Sequence, residues 1–370
     1  MKKLILIGGG HTHLETIRRL GEQSSLDVAV TLISSDRFTP YSGMLPGLIS
    51  GHYTFSDCHI NLEDLCHKYR FKFIQDTVTR ITPRDQLIHT PKNQHGYELA
   101  SINIGSTPNL YSTVGVKSWG LPVKPIDQLI RKVDRFLKRV NNAPMKQTFD
   151  VAVVGGGAAG IEIILALKHR ADTYGYTNLN FSIVTGSQDI LDTHSTLIQR
   201  KFHRILHQKN ITTYYAHPVV SVSKEYVTTS SGKMIKSDLT IWATGAAASS
   251  WPKLSNLPTT ADGFIQTDQY LRVKNINNLF AVGDIGSIED LQYPKSGVYA
   301  VKQAAVLTAN IKNLVNDKPL QLYTPQKHAL ALISAGNKYA VASRNVLCAS
   351  GKWVWHLKDY IDRSFMGKFR

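Results

Sequence analysis

Lys3-Leu4-Ile5-Leu6-Ile7 runs directly into Gly8-Gly9-Gly10-His11-Thr12-His13, and Asp150-Val151-Ala152-Val153-Val154 runs into Gly155-Gly156-Gly157-Ala158-Ala159-Gly160. Each stretch is an apolar β-type run that ends in a glycine-rich turn. The second follows the Gly-x-Gly-x-x-Gly spacing in full, at Gly155, Gly157 and Gly160; the first has Gly8 and Gly10 but places His13 at the third position. In this pattern the first glycine permits a tight turn, the second lets the backbone approach a pyrophosphate, and the third lets helix and strand pack closely. The helix that follows offers free N–H groups and a positive dipole end to the phosphates. One such loop is a weak signal. Two in one chain predict two dinucleotide sites.

The surroundings of each loop agree with that prediction. Leu14, Ile17 and Leu20 give helical spacing over 13–20, and 28–33 reads as a second strand, which completes a βαβ unit. The second unit repeats this, with a helix over 161–170 and a strand over 180–184. Residues 101–108 and 239–245 share a third feature, an apolar strand that enters a glycine turn at Gly105 and at Gly245. This recurrence predicts a duplicated nucleotide-binding domain. Ile126, Leu129, Ile130, Val133 and Leu137 mark a basic amphipathic helix over 126–140 between the two halves.

The chain has 370 residues, too many for one ordinary core, with 42% apolar and 19% charged residues, as in soluble globular proteins. No run approaches the roughly 18 to 20 apolar residues that span a bilayer, and Met1-Lys2-Lys3 with its short apolar run reads as a buried strand rather than a leader. A cytoplasmic location, or a peripheral one on the inner face of a membrane, is expected. The net charge of +16 is either a solvated basic surface or an attraction for anionic surfaces; no basic block of the nucleic-acid type is present. Cys58, Cys66 and Cys348 form no Cys-x-x-Cys pair and no zinc pattern.

Several residues are candidates for binding or chemistry. Ser34 and Asp36 follow the second strand where a ribose carboxylate is expected; Asp36 either fills that role or caps the loop. The corresponding place in the second unit is Thr185, with neither an acid nor an arginine beside it, so NADH and NADPH both stay open. Glu162 is either a carboxylate at a helix start or a contact near a nicotinamide. His11 and His13 either touch phosphates or serve the fold. Ala281-Val282-Gly283-Asp284 reads as a strand that delivers an aspartate to a helix start; Asp284 is either a turn aspartate or a carboxylate for ribityl hydroxyls, with the following N–H groups at the pyrimidine end of a flavin. Lys295 is either an ordinary lysine or a cation that stabilises charge on a reduced flavin or quinone.

Taken together, these motifs resemble the FAD-dependent pyridine nucleotide-disulfide oxidoreductases over residues 1 to about 312. Within that superfamily the chain is similar to type II NADH dehydrogenases and sulfide:quinone reductases. It looks closest to the NADH-dehydrogenase-like proteins found alone or fused ahead of selenide, water dikinase. Gly8 to His13, Thr39-Pro40-Tyr41-Ser42-Gly43-Met44-Leu45-Pro46-Gly47, Val123-Lys124-Pro125-Ile126, Pro294 to Val298 and Lys358 to Met366 carry this likeness. It implies an α/β fold of two Rossmann-like, glutathione-reductase-type domains with a small C-terminal extension. Residues 1–118 and 265–315 would form the FAD-binding domain, 119–264 the NAD(P)H-binding domain and 316–370 the C-terminal region. It also implies FAD on the first loop with Asp284 on its ribityl chain, Pro40 and Tyr41 near the isoalloxazine, and NADH or NADPH on the second loop.

The implied activity is hydride transfer from NAD(P)H to flavin and on to a quinone or another small acceptor. The alternatives are a flavin-dependent sulfur- or selenium-linked reductase or oxidase using a reactive thiol, and a flavin-bound module that docks on a partner. The tail, residues 351–370, places Leu357, Ile361 and Phe365 four apart beside Tyr360, among lysines and arginines. Such a helix lies on an anionic membrane surface, packs on the chain's own core, or forms a homodimer interface.

Overall fold

The computed structural model describes residues 1–23, 27–110, 113–144, 146–291, 293–345 and 347–370. The first apolar run forms β1 (Lys2–Ile7), the helix after its glycines is α1 (His11–Gly21), and β2 (Val28–Ser34) lies beside β1 in parallel. The sheet is completed by β3 (Lys72–Gln75), β4 (Leu99–Ile102) and a strand from much later in the chain, β10 (Leu279–Ala281). The order is β10-β4-β1-β2-β3, and every pairing is parallel. β1 therefore sits at the centre, and its carboxyl end opens at the crossover point where α/β sheets bind ligands.

The second sheet repeats the plan. β5 (Gly120–Pro122) leads to helix α2 (Ile126–Asn141), then β6 (Phe149–Val154), helix α3 (Ala158–Thr173), β7 (Leu179–Val184), helix α4 (Thr196–Gln208), β8 (Ile211–Tyr214) and β9 (Leu239–Trp242). The order β5-β9-β6-β7-β8 is again fully parallel and again centres the glycine-loop strand. Strands β1 and β6 are apolar on both faces because helices cover one face and a β-layer the other. In the second unit that layer is the antiparallel meander Val219–Val222, Tyr226–Thr229 and Met234–Lys236, which closes over Val154, Val184 and Trp242.

After β10, helix α5 (Gly297–Val315) packs on α1. An antiparallel hairpin sheet, β11 (Ala331–Ser334), β12 (Ala340–Arg344) and β13 (Leu347–Gly351), then leads into the final helix α6 (Lys352–Gly367). The apolar stripe expected in the tail is divided by the structure. Phe365 is buried with Val354, Trp355, Met366 and Phe369 in the core of the first unit. Leu357, Ile361 and Tyr360 stay exposed at 38%, 40% and 72%, together with Trp353. The stripe failed because the buried face also carries Lys358 and Asp362, which count as polar in any hydropathy pattern. Among the described residues no helix is long and apolar enough to cross a membrane.

His13 is a member of the core and not of the surface. Its ring has no exposed atom; Nδ1 donates to Gly8 O at 2.7 Å, so Nε2 accepts from the Ser101 hydroxyl at 2.8 Å. Burial holds the ring neutral, at about 4. The side chain that stands where a small residue was expected therefore ties α1 to the first loop and to β4, and the expectation that His13 touches phosphate is corrected. His13→Ala should lower the unfolding free energy by about 2–4 kcal/mol, from the cavity and the unpaired hydroxyl it leaves. Denaturant unfolding checks this, and a loss below about 1 kcal/mol would contradict it.

Candidate active site

Two positions show why glycine stands in the loops. Gly8 has φ +88°, and a Cβ there would lie 2.5 Å from Asn103 O; Gly155 has φ +123°, and a Cβ would lie 2.4 Å from Ala243 O. Each loop is therefore pressed against the turn that follows the neighbouring strand. Helices α1 and α3 then begin at Gly10 and Gly157, neither of which has a side-chain cap. Their first N–H groups are left for an external acceptor. Gly10 is boxed by the Asn103 side chain at 2.4 Å, whereas the space that a Cβ would take at Gly157 is open to 4 Å. Both cradles fit the diphosphate of a dinucleotide.

Around the first loop, Gly283 turns with φ +68° and donates its N–H to Gln303 Oε1 at 2.6 Å. That leaves Asp284 half-enclosed. Its Oδ2 accepts from the Ser106 hydroxyl at 2.9 Å and lies 3.5 Å from Lys124 Nζ. Gly105, at φ +70°, carries the chain past this carboxylate to Ser106. At the start of α5, Lys295 donates to Gly286 O at 2.8 Å and stands 4.0 Å above the Phe264 ring. Burial lowers its ammonium to about 8, against the pull of Asp284. Asp36 is exposed and accepts from Ser35 Oγ at 2.9 Å, one residue beyond that serine and two beyond the buried Ser34 at the end of β2.

His11 and Tyr41 come together with the last helix. Tyr41 stacks on Phe365 with ring centres 4.6 Å apart, and His11 lies 5.2 Å from Tyr41. His11 is bonded to the carbonyl of Pro40, and burial lowers its pKa. The Tyr41 phenol is pushed up by burial and by Asp362, to which it donates a hydrogen bond. Asp362 Oδ2 also accepts from Lys358 Nζ at 2.6 Å, and Lys358 donates to Gly43 O at 2.5 Å. Both members of this pair are almost fully buried. Glu162, in the second turn of α3, accepts from Ser334 N at 2.7 Å. Burial raises it to about 7, with Lys358 pulling the other way. A chain of ionisable groups, Tyr41, Asp362, Lys358 and Glu162, thus joins the two glycine-loop units through the C-terminal helix.

On the second loop, Thr185 is buried at the end of β7 and its hydroxyl accepts from Ser187 N at 3.2 Å. Gly160 lets α3 pack on the loop: a Cβ there would meet Gly155 O at 2.0 Å. Gly245 is open, with nothing within 4 Å of its Cβ position. Cys58 and Cys66 are buried, and burial pushes both thiols up to about 12; Cys348 is exposed on the hairpin. Sequence reasoning missed Lys358, Asp362 and Asn103. The Lys358–Asp362 spacing of four residues is a readable helical pair, but nothing in the sequence marks it as buried.

The pyridine nucleotide-disulphide oxidoreductase family matches residues 2–304. A probable NADH dehydrogenase of Dictyostelium discoideum is 24% identical over 341 residues, covering 86% of this chain and 75% of that protein. The type II NADH:quinone oxidoreductase of Staphylococcus saprophyticus is 23% identical over 338 residues, covering 86% and 84%. Among solved structures, the sulfide:quinone oxidoreductase of Aquifex aeolicus superposes with a TM-score of 0.86 at 18% identity, covering 100% of this chain and 92% of that one. The Plasmodium falciparum NDH2 in complex with NADH gives 0.84 at 20%, covering 100% and 97%.

Glu162 makes the site's stability depend on pH. Its folded value is near 7 against an ordinary 4.5. A carboxyl raised by folding stabilises the fold fully below its unfolded value, and this contribution is lost as pH rises through the folded value. Glu162→Gln keeps an acceptor for Ser334 and does not ionise. Relative to wild type it should gain stability between pH 5 and pH 8, by at most about 3 kcal/mol. Denaturant unfolding at both pH values checks this; a difference that stays constant with pH contradicts it.

Proposed function

Because the chain belongs to the pyridine nucleotide-disulphide oxidoreductase family, we propose that it is a flavin-dependent NADH:quinone oxidoreductase of the type II NADH dehydrogenase kind. The observation that carries this reading is the pair of glycine cradles, each beneath an uncapped helix start. FAD belongs to the first, held by Gly8, Gly10, His11, Gly105, Gly283 and Asp284, with Ser34 and Asp36 at its ribose end. NADH, as in the names of the relatives, belongs to the second, on Gly155, Gly157, Gly160, Thr185 and Gly245. We assign residues 1–118 and 265–315 to the flavin domain, 119–264 to the nicotinamide domain and 316–370 to the C-terminal region.

The flavin, when bound, supplies the two-electron chemistry. The protein orients the ligands, excludes water and holds protons. Pro40 and Tyr41 close the flavin end, and Phe365 covers Tyr41. Glu162, near neutrality, carries a proton at Oε2 while Oε1 stays on Ser334 N. Lys295 adds a half-buried cation beside Gly286. A thiol mechanism does not suit Cys58 and Cys66, which stay protonated at neutral pH.

Anaerobic titration with NADH should bleach the flavin's visible band, and a short-chain quinone should restore it with turnover. A variant lacking all three cysteines should behave alike. Bleaching by NADPH alone would reassign the nicotinamide, and no bleaching by either would favour a partner-docking module. Loss of turnover in the cysteine-free variant would favour the thiol-dependent alternative.

We also propose that the exposed face of α6, Trp353, Leu357, Tyr360 and Ile361, meets an anionic membrane surface, with the chain's net charge of +16 assisting. On this reading the protein is peripheral, on the inner, cytoplasmic face of a membrane. The combined Leu357→Gln, Tyr360→Ser and Ile361→Gln variant leaves the buried face of α6 intact. It should lose sedimentation with vesicles containing anionic lipid while keeping its flavin. Sedimentation equal to wild type would contradict the assignment.

A further inference from the structure

The Asp284 carboxylate creates an electrostatic problem. A fixed negative charge beside a flavin opposes the arrival of electrons. The sequence offered Lys295 as an ordinary lysine or as a cation for charge on the reduced flavin or quinone, and its ammonium is bonded to Gly286 O and stands over Phe264. Asp284 also pulls on Lys295, but the lysine that makes an ion pair with the carboxylate is a different one. Lys124 Nζ lies 3.5 Å from Asp284 Oδ2, the same oxygen that the Ser106 hydroxyl addresses at 2.9 Å. Its cation also reaches His11, at the start of α1. Lys124 belongs to the connection between β5 and α2, whose Val123 N–H is fastened to Trp242 O at 3.2 Å in the second sheet. A residue anchored in one glycine-loop unit thus places its charge in the cradle of the other.

Resting on the flavin reading above, we propose that Lys124 is a positioning and charge-compensating residue of the flavin site: it neutralises Asp284 and makes the bound flavin easier to reduce. The Asp284 carboxylate is thereby kept as a hydroxyl acceptor without disfavouring reduction.

The test is the midpoint potential of the bound flavin, from an anaerobic titration against a reference dye, in wild type, Lys124→Gln and Lys124→Arg. The glutamine variant should keep its flavin and show a roughly tenfold smaller preference for the reduced form, a fall of about 30 mV for two electrons. The arginine variant should recover most of the loss. If the glutamine variant releases its flavin, the ratio of its affinities for oxidised and reduced FAD gives the same quantity. An unchanged potential, or an unchanged ratio, overturns the proposal. Wild-type protein that takes up no flavin would defeat the flavin reading itself, which is a separate result.

Discussion

The constraint on which both ligand cradles depend is the contact between each glycine loop and the turn after the strand beside it. Asn103 O and Ala243 O lie where Cβ atoms at residues 8 and 155 would be. That contact draws the loop across the carboxyl end of its sheet and sets where the following helix begins. It therefore sets the direction in which the uncapped N–H groups point. The same geometry occurs twice because the whole parallel sheet occurs twice, with the glycine-loop strand central in both. Nothing beyond backbone shape is needed to make two anion cradles.

What links the two cradles is the C-terminal helix. Its buried face inserts Lys358 and Asp362 among Tyr41, Gly43 and Glu162. Burying such a pair is costly unless its remaining hydrogen bonds are satisfied, and losing one partner costs about 3–5 kcal/mol. Here Asp362 holds both Lys358 and Tyr41, while Lys358 also reaches a backbone carbonyl. These bonds tie α6 to the segment that carries Tyr41 and Gly43. They hold Tyr41 under Phe365 and leave Glu162 near neutrality. The opposite face of the helix keeps large apolar side chains in solvent, so one short element serves the core and a surface at once.

Much of this was legible in the sequence, for physical reasons. Strand runs buried on both faces, glycines under steric compulsion and a Gly-Asp turn after a strand all leave local marks, and Gly8, Gly155 and Asp284 stand where those marks placed them. His13 did not follow the pattern, since a buried imidazole bonded to Gly8 and Ser101 can occupy a position that the motif reserves for a small residue. The tail was read on hydropathy alone, which assigned Phe365 to the same stripe as Leu357 and Ile361. Tertiary packing rotated that stripe because an ion pair was being buried. Lys124 and Lys295 show the same limit: both were visible as lysines, and only the fold shows which one makes an ion pair with the carboxylate.

The central claim is that the two loops divide the labour, one holding the flavin and the other presenting the nicotinamide. Gly157 allows a direct test, because its φ of −74° suits any residue and the space at its Cβ is open. Gly157→Val should fold normally and fill only the place of a diphosphate. The measurement is the flavin spectrum of this variant before and after anaerobic addition of NADH. The account predicts an unchanged flavin band that does not bleach at NADH concentrations that fully bleach wild type. Bleaching equal to wild type, or loss of the flavin, would contradict it.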